Sequence, residues 1–127
     1  MNSESVKSIK VGICGFGTVG GGSYNLLQAN GEEITRRVGC VIDVVRIASR
    51  SISSGDVNSA VNISNDPFDV VNDPEVDIVI ETIGGFDPAF EVVRQALANG
   101  KHVVTANKAL IAERGNELFA AAQQNAV

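Results

Sequence analysis

Histidine and cysteine are too scarce in this sequence to build most metal or redox sites. Among 127 residues there is one histidine, His102, and two cysteines, Cys14 and Cys40, which lie at neither metal-ligand nor redox-motif spacing. No metal site is expected, and Cys14, inside an apolar run, reads as a buried structural thiol. Long apolar stretches are missing too. Nothing approaches the ~20 residues that a membrane-spanning helix needs, and Met1 to Lys10 lacks the apolar centre of a secretion signal. The expected compartment is the cytoplasm, with no membrane partner. Positive charge is in deficit as well: ten lysines and arginines stand against fifteen acids, a net charge of −5. That balance argues against a surface that tracks nucleic-acid phosphates.

What the sequence does contain is alternation. Apolar runs at Ile9–Cys14, Val41–Ala48, Asp77–Ile83 and His102–Thr105 are separated by amphipathic stretches, and Ala60–Ile63 suggests a weak edge strand. Near-continuous apolar runs suit parallel strands buried on both faces. The fold class is therefore α/β, a Rossmann-type doubly wound parallel sheet with helices on both faces. A helix is expected over Thr18–Asn30, with Val19, Leu26 and Leu27 inward, extended by Glu32–Val38 past a break at Gly31. Asp66-Pro67 and Asp87-Pro88 each read as an N-cap followed by proline at the first helical position. From Pro88, Phe90, Val93 and Leu97 recur at helical spacing until Gly100. A last helix is expected from Glu113 to Gln124, with Leu118, Phe119 and Ala122 inward. In this alternation a further strand should follow, so the chain is expected to be cut just before one. The organisation is a polar extension over residues 1–8 and one dinucleotide-binding domain over residues 9–127.

Gly15-Phe16-Gly17-Thr18-Val19-Gly20 is a G-x-G-x-x-G motif set between a predicted strand and a predicted helix. In that setting the three glycines differ in role. Gly15 makes the tight turn, Gly17 admits a pyrophosphate, and Gly20 lets helix and strand approach closely. Amides at the helix start then face the negative charge. Gly21 and Gly22 extend the run to three glycines in a helix, at about 1 kcal/mol each relative to alanine, so close packing or ligand approach has to compensate.

The second strand ends Ile47-Ala48-Ser49-Arg50, without the acid that commonly holds the adenine ribose hydroxyls. Arg50 stands in that place and suits a 2′-phosphate, so the reading leans toward NADP over NAD. Two loops leave the carboxyl edge at the other end of the cofactor: Glu81-Thr82-Ile83-Gly84-Gly85-Phe86 and Thr105-Ala106-Asn107-Lys108. Ile83, Gly84, Gly85, Thr105, Ala106 and Asn107 are candidate cofactor contacts. Lys108 is a candidate contact and the candidate catalytic residue, able to hold a substrate oxygen or shift a proton. Glu81 is expected to anchor loop amides. His102 begins its strand, on the order of 10 Å from the ligand edge, and is expected to be structural.

Three segments together, Val11 to Gly22, Ile80 to Gly85 and above all Gly100-Lys101-His102-Val103-Val104-Thr105-Ala106-Asn107-Lys108-Ala109-Leu110-Ile111-Ala112, resemble the homoserine dehydrogenases, from about Ile9 onward. The resemblance implies an oxidoreductase that interconverts homoserine and aspartate 4-semialdehyde with NAD(P), on the route to threonine and methionine. It matches the glycine loop to Gly15–Gly20, the adenine-side arginine to Arg50, and a lysine near nicotinamide and substrate to Lys108. It also implies a substrate domain beyond this segment, so these residues alone are expected to bind cofactor without turnover. The full enzyme is expected to be a homodimer and this part a monomer. The alternatives are the cofactor domain of another small-aldehyde dehydrogenase or reductase, and a stand-alone nucleotide-sensing module.

Overall fold

Strand and helix alternate along the computed structural model, which describes residues 7–50, 57, 61–85 and 88–125. The elements are β1 (Lys7–Cys14), α1 (Thr18–Ala29), α2 (Gly31–Val38), β2 (Cys40–Ala48), β3 (Asn62–Ser64), α3 (Pro67–Val71), β4 (Ile78–Glu81), α4 (Ala89–Ala98), β5 (His102–Thr105) and α5 (Lys108–Gln124). All strand pairs are parallel, in the order β3-β2-β1-β4-β5. The chain steps outward from β1 to β3, then crosses back to place β4 on the other side of β1. That reversal puts a topological switch point between β1 and β4, where open α/β sheets bind ligands.

Side-chain alternation along β1 divides the core between two faces. Val11 and Ile13 pack with Tyr24 and Leu27 of α1 and with Val44 and Ile47 of β2. Cys14 turns the other way, toward Val70 and Val71 of α3 and Val92 and Ala96 of α4. Strict period-two alternation would not send both Val44 and Ile47 to one face. A register shift opposite Val11 and Gly12 inserts the extra residue that does so. A third cluster joins α4 to α5 through Ala89, Val93 and Leu97 against Leu110 and Leu118. Above it, the Arg114 guanidinium lies 3.9 Å from the centre of the Phe90 ring. The doubly wound arrangement, with helices on both faces, is as expected. Among the described residues no helix is long and apolar enough to cross a membrane.

Several local expectations need correction. The strand expected over Asp77–Ile83 is only Ile78–Glu81, because the Ile83 amide turns back to the Glu81 carboxylate and leaves the ladder. The last helix begins at Lys108 and not Glu113, since Asn107 caps it. Phe119 and Leu26, expected inward, are 60% and 62% exposed; Leu118 and Leu27 beside them take the inward places. The first helix ends at Ala29, and the break falls at Asn30, with Gly31 already inside α2. Asp66 caps α3 ahead of Pro67 as expected. Pro88 is the cap position of α4 and not its first residue, while Asp87 lies outside the described residues. The edge strand forms as β3, three residues long, and Ala60 is outside the described residues.

One polar cluster ties the sheet to its loops. Arg46 of β2 pairs with Asp73 after α3 at 2.9 Å. Buried Lys101, just before β5, donates to the carbonyls of Asp73 and Val76, both at 2.7 Å. Burial pulls the Lys101 ammonium below the ordinary lysine range, with Asp73 and Asp77 opposing that shift. At Asp73 burial works against ionisation, but the Glu75 amide, Arg46 and Lys101 outweigh it and hold the carboxyl below its usual range. An acid depressed in the folded state contributes stability above its unfolded value, about 4, and loses it as pH falls through the folded value. Asp73→Asn is expected to lower the melting temperature at neutral pH. Its deficit against the unsubstituted protein should shrink as the pH falls below the ordinary carboxylate range, about 4. Thermal melts across that range check this, and a constant deficit at every pH counts against it.

Candidate functional site

The glycine loop leaves β1 at the switch point. Gly15 has φ +93°, a left-handed conformation that side chains rarely adopt, and its amide donates to the Ala48 carbonyl at 2.7 Å. From the neighbouring strand end, the Thr82 amide and hydroxyl both donate to the Cys14 carbonyl, each at 2.9 Å. Thr82 thereby clamps the turn. A Cβ placed on Gly20 would come within 2.3 Å of the Gly15 carbonyl oxygen and 2.7 Å of Thr82 Oγ1. The close approach expected of the third motif glycine is therefore present. Gly17 and Gly22 have no atom within 4 Å of the corresponding point. For Gly17 that is the open approach a pyrophosphate needs. At Gly22 the expected compensation by close packing is missing, because its helix face is open.

The start of α1 is suited to an anion. Gly17 occupies the cap position and offers no side chain to cap the first turn, and no acid stands in it. First-turn amides have no carbonyl partner within their own helix, so those of Thr18, Val19 and Gly20 are left to an external acceptor. Phe16 turns its ring toward Tyr24, with centroids 5.9 Å apart, and leaves its backbone to the loop. The cleft in front, of about 500 Å³, is lined by Gly15, Gly17, Ser49, Arg50, Asn65, Thr82, Ile83 and Gly84, among others. An exposed arginine and the glycine turn that leads into the uncapped helix start line this cleft together, a combination that suits a dinucleotide phosphate chain. Thr82 and Asn65 were not singled out from the sequence. Thr82 could have been, since it directly follows the strand that borders the switch point.

A chain of hydrogen bonds joins the two loops at the other end. Glu81, fully buried, accepts from the Ile83 amide at 2.9 Å and from the Thr105 hydroxyl at 2.5 Å. Thr105 Oγ1 in turn accepts from the Asn107 amide at 3.0 Å. The Asn107 side chain donates to the Gly85 carbonyl at 2.6 Å and accepts from the Leu110 amide at 3.0 Å, which caps α5. Gly84 and Gly85 both have positive φ. Glu81 anchors a loop amide, as expected. Lys108 is the first residue of α5 and exposed, beside a depression lined by Thr105, Ala106, Asn107, Ile111 and Ala112. Of the candidate residues, Gly15, Gly17, Arg50, Ile83 and Gly84 line the cleft and Thr105 to Lys108 line the depression. Phe16, Gly20 and Gly85 line neither, and Thr18 and Val19 begin α1. The Asn107–Gly85 bond ties the two loops together. Phe86 lies outside the described residues. His102 is exposed opposite Ile78 at the far end of β5.

Burial, with the Glu81 carboxylate beside it, pushes the Cys14 thiol up to about 12. The thiol therefore stays protonated and unreactive at neutral pH, in keeping with a structural role.

A parallel sheet in this order, with a glycine turn and uncapped helix start at its switch point, defines a dinucleotide-binding Rossmann domain. A family model described as the NAD-binding domain of homoserine dehydrogenase matches residues 15–127, and the chain belongs to that family. It is 54% identical to the homoserine dehydrogenase of Pseudomonas aeruginosa over 122 residues, which are 96% of this chain and 28% of that protein. Among solved structures, a homoserine dehydrogenase from Thiobacillus denitrificans superposes with a TM-score of 0.89 at 56% identity, covering 97% of this chain and 29% of that one. The Staphylococcus aureus enzyme at pH 7.5 superposes at 0.85 with 32% identity, over 96% of this chain and 31% of that one. The chain thus spans under a third of the length of these relatives. The domain is of an oxidoreductase family, and its cofactor is a nicotinamide dinucleotide.

Proposed function

We propose that this domain holds NADP or NAD across the β1/β4 switch point and serves an enzyme that interconverts homoserine and aspartate 4-semialdehyde, in the cytoplasm. The observation that carries this is the uncapped start of α1 behind a glycine turn that opens on the cleft at Gly17. In this reading the backbone of Gly15 to Gly20 receives the pyrophosphate. Arg50 meets the adenine ribose and, in NADP, its 2′-phosphate. Ile83, Gly84, Gly85 and Thr105 to Lys108 border the nicotinamide. When bound, the nicotinamide accepts or donates a hydride. The chain's own part is orientation and electrostatics, with the Lys108 ammonium placed to hold a substrate oxygen or carboxylate. In the full-length enzyme, which this reading takes to be a homodimer, homoserine would meet this edge from a separate substrate domain.

Calorimetric titration with NADPH and NADH at low and high salt tests the reading. The expected result is tighter binding of NADPH, weakened by salt because an exposed ion pair is screened, and lost on Arg50→Ala. The 127 residues alone are expected to bind without oxidising homoserine. Equal binding of both cofactors removes the NADP preference, and binding of neither removes the site.

A further inference from the structure

Glu81 is more than a loop anchor. A fully buried acid is costly unless it is satisfied, and among the described residues no ion pair reaches this one. Both of its hydrogen bonds come from donors. The Ile83 amide can only donate, and the Thr105 hydroxyl, which accepts from the Asn107 amide, donates to Glu81. This pattern matches an acceptor-only carboxylate. Its position is equally specific: Glu81 is the last residue of β4, in register with Cys14 on one side and Thr105 on the other. It lies directly beneath the two loops that border the nicotinamide end.

We propose that Glu81 is a positioning residue for the nicotinamide end of the cofactor, and that its buried charge favours the oxidised, cationic ring over the reduced, neutral one. The proposal rests on the cofactor reading above. Through Thr105 and Asn107 it fixes the spacing between the Gly84–Gly85 backbone and Lys108. A charge enclosed in a poorly screened edge acts on another charge several ångströms away, and only the oxidised nicotinamide carries one. A difference in affinity between two ligand states is what shifts their balance on the protein.

The test is the ratio of affinities for oxidised and reduced dinucleotide, measured by calorimetry on the unsubstituted chain, Glu81→Gln and Glu81→Asp, with melting temperatures alongside. Glu81→Gln is expected to lower the oxidised-to-reduced ratio by about tenfold. Glu81→Asp keeps the charge but withdraws it from Thr105, so both forms should weaken together at an unchanged ratio. A folded Glu81→Gln that weakens both forms equally, or neither, overturns the proposal. If the glutamine variant does not fold, the aspartate variant decides: a ratio lowered like that expected for a neutral side chain overturns it, and an unchanged ratio with weaker binding supports it. Binding of neither form by the unsubstituted chain overturns the cofactor reading and this inference with it.

Discussion

Gly20→Ala is expected to be the most damaging single-methyl change in the glycine loop, lowering the melting temperature by roughly 10–20 °C and abolishing measurable dinucleotide binding. The new Cβ would sit 2.3 Å from the Gly15 carbonyl oxygen and 2.7 Å from Thr82 Oγ1. Neither neighbour yields easily. The Gly15 carbonyl belongs to a turn held by its own bond to Ala48, and Thr82 is fixed by its two bonds to Cys14. Relief therefore requires α1 to move away from β1, which costs about 3 kcal/mol or more for overpacking against backbone. The same motion carries the uncapped amides of the first turn off their aim. Stability and binding should fall together.

Gly22→Ala, two residues on in the same helix, gives the control. Nothing lies within 4 Å of its added methyl, so the gain in helix propensity is unopposed. It should stabilise the protein by about 0.5–1 kcal/mol with binding unchanged. Thermal melts and cofactor titrations on the two variants check both signs. A Gly20→Ala protein that melts with the parent would mean that α1 does not approach the glycine turn closely.

Much of this contrast is legible in the sequence, and its limits are instructive. The alternation of apolar runs with amphipathic stretches points to the doubly wound sheet, because parallel strands buried on both faces need near-continuous apolar sequence. The strand His102–Thr105 and the Asp66 cap before Pro67 follow from local chemistry, and the structure has both. Equally local is the role of each motif glycine, but which of three successive glycines meets a neighbour depends on where Thr82 and Gly15 arrive in space. Orientation within adjacent apolar pairs is undetermined for the same reason. Leu26 or Leu27, and Leu118 or Phe119, can each face the core until the partner helix is placed. The Arg46–Asp73–Lys101 cluster joins residues 27 and 28 positions apart, and no spacing rule reaches that far. Apolar periodicity alone hides the start of α5, a helix whose first turn is Lys-Ala-Leu-Ile and whose cap is the asparagine before it.

Removing that cap asparagine should separate stability from binding. Asn107 serves two purposes with one amide: its oxygen accepts from Leu110 and so caps α5, while its nitrogen donates to the Gly85 carbonyl. In Asn107→Ala both are lost at a buried position. The expected cost is about 1–2 kcal/mol, roughly 1 from the cap and less from the Gly85 carbonyl, which lies in an exposed loop and can turn to water. Asn107→Asp keeps the accepting oxygen and adds a charge that the helix start favours, but its second oxygen, in place of the amide nitrogen, faces the Gly85 carbonyl, which repels it. The aspartate variant should therefore be about 1 kcal/mol more stable than the alanine variant, while both bind the dinucleotide at least tenfold more weakly than the parent. Urea denaturation gives the stability order and titration gives the affinities. If the aspartate variant binds like the parent, the link between the Gly84–Gly85 loop and α5 plays no part in the site. If it is no more stable than the alanine variant, the cap is not what holds the start of α5. The two outcomes are independent because the two hydrogen bonds leave the same side chain in different directions, one along the helix that carries Lys108 and one across to the loop that faces it.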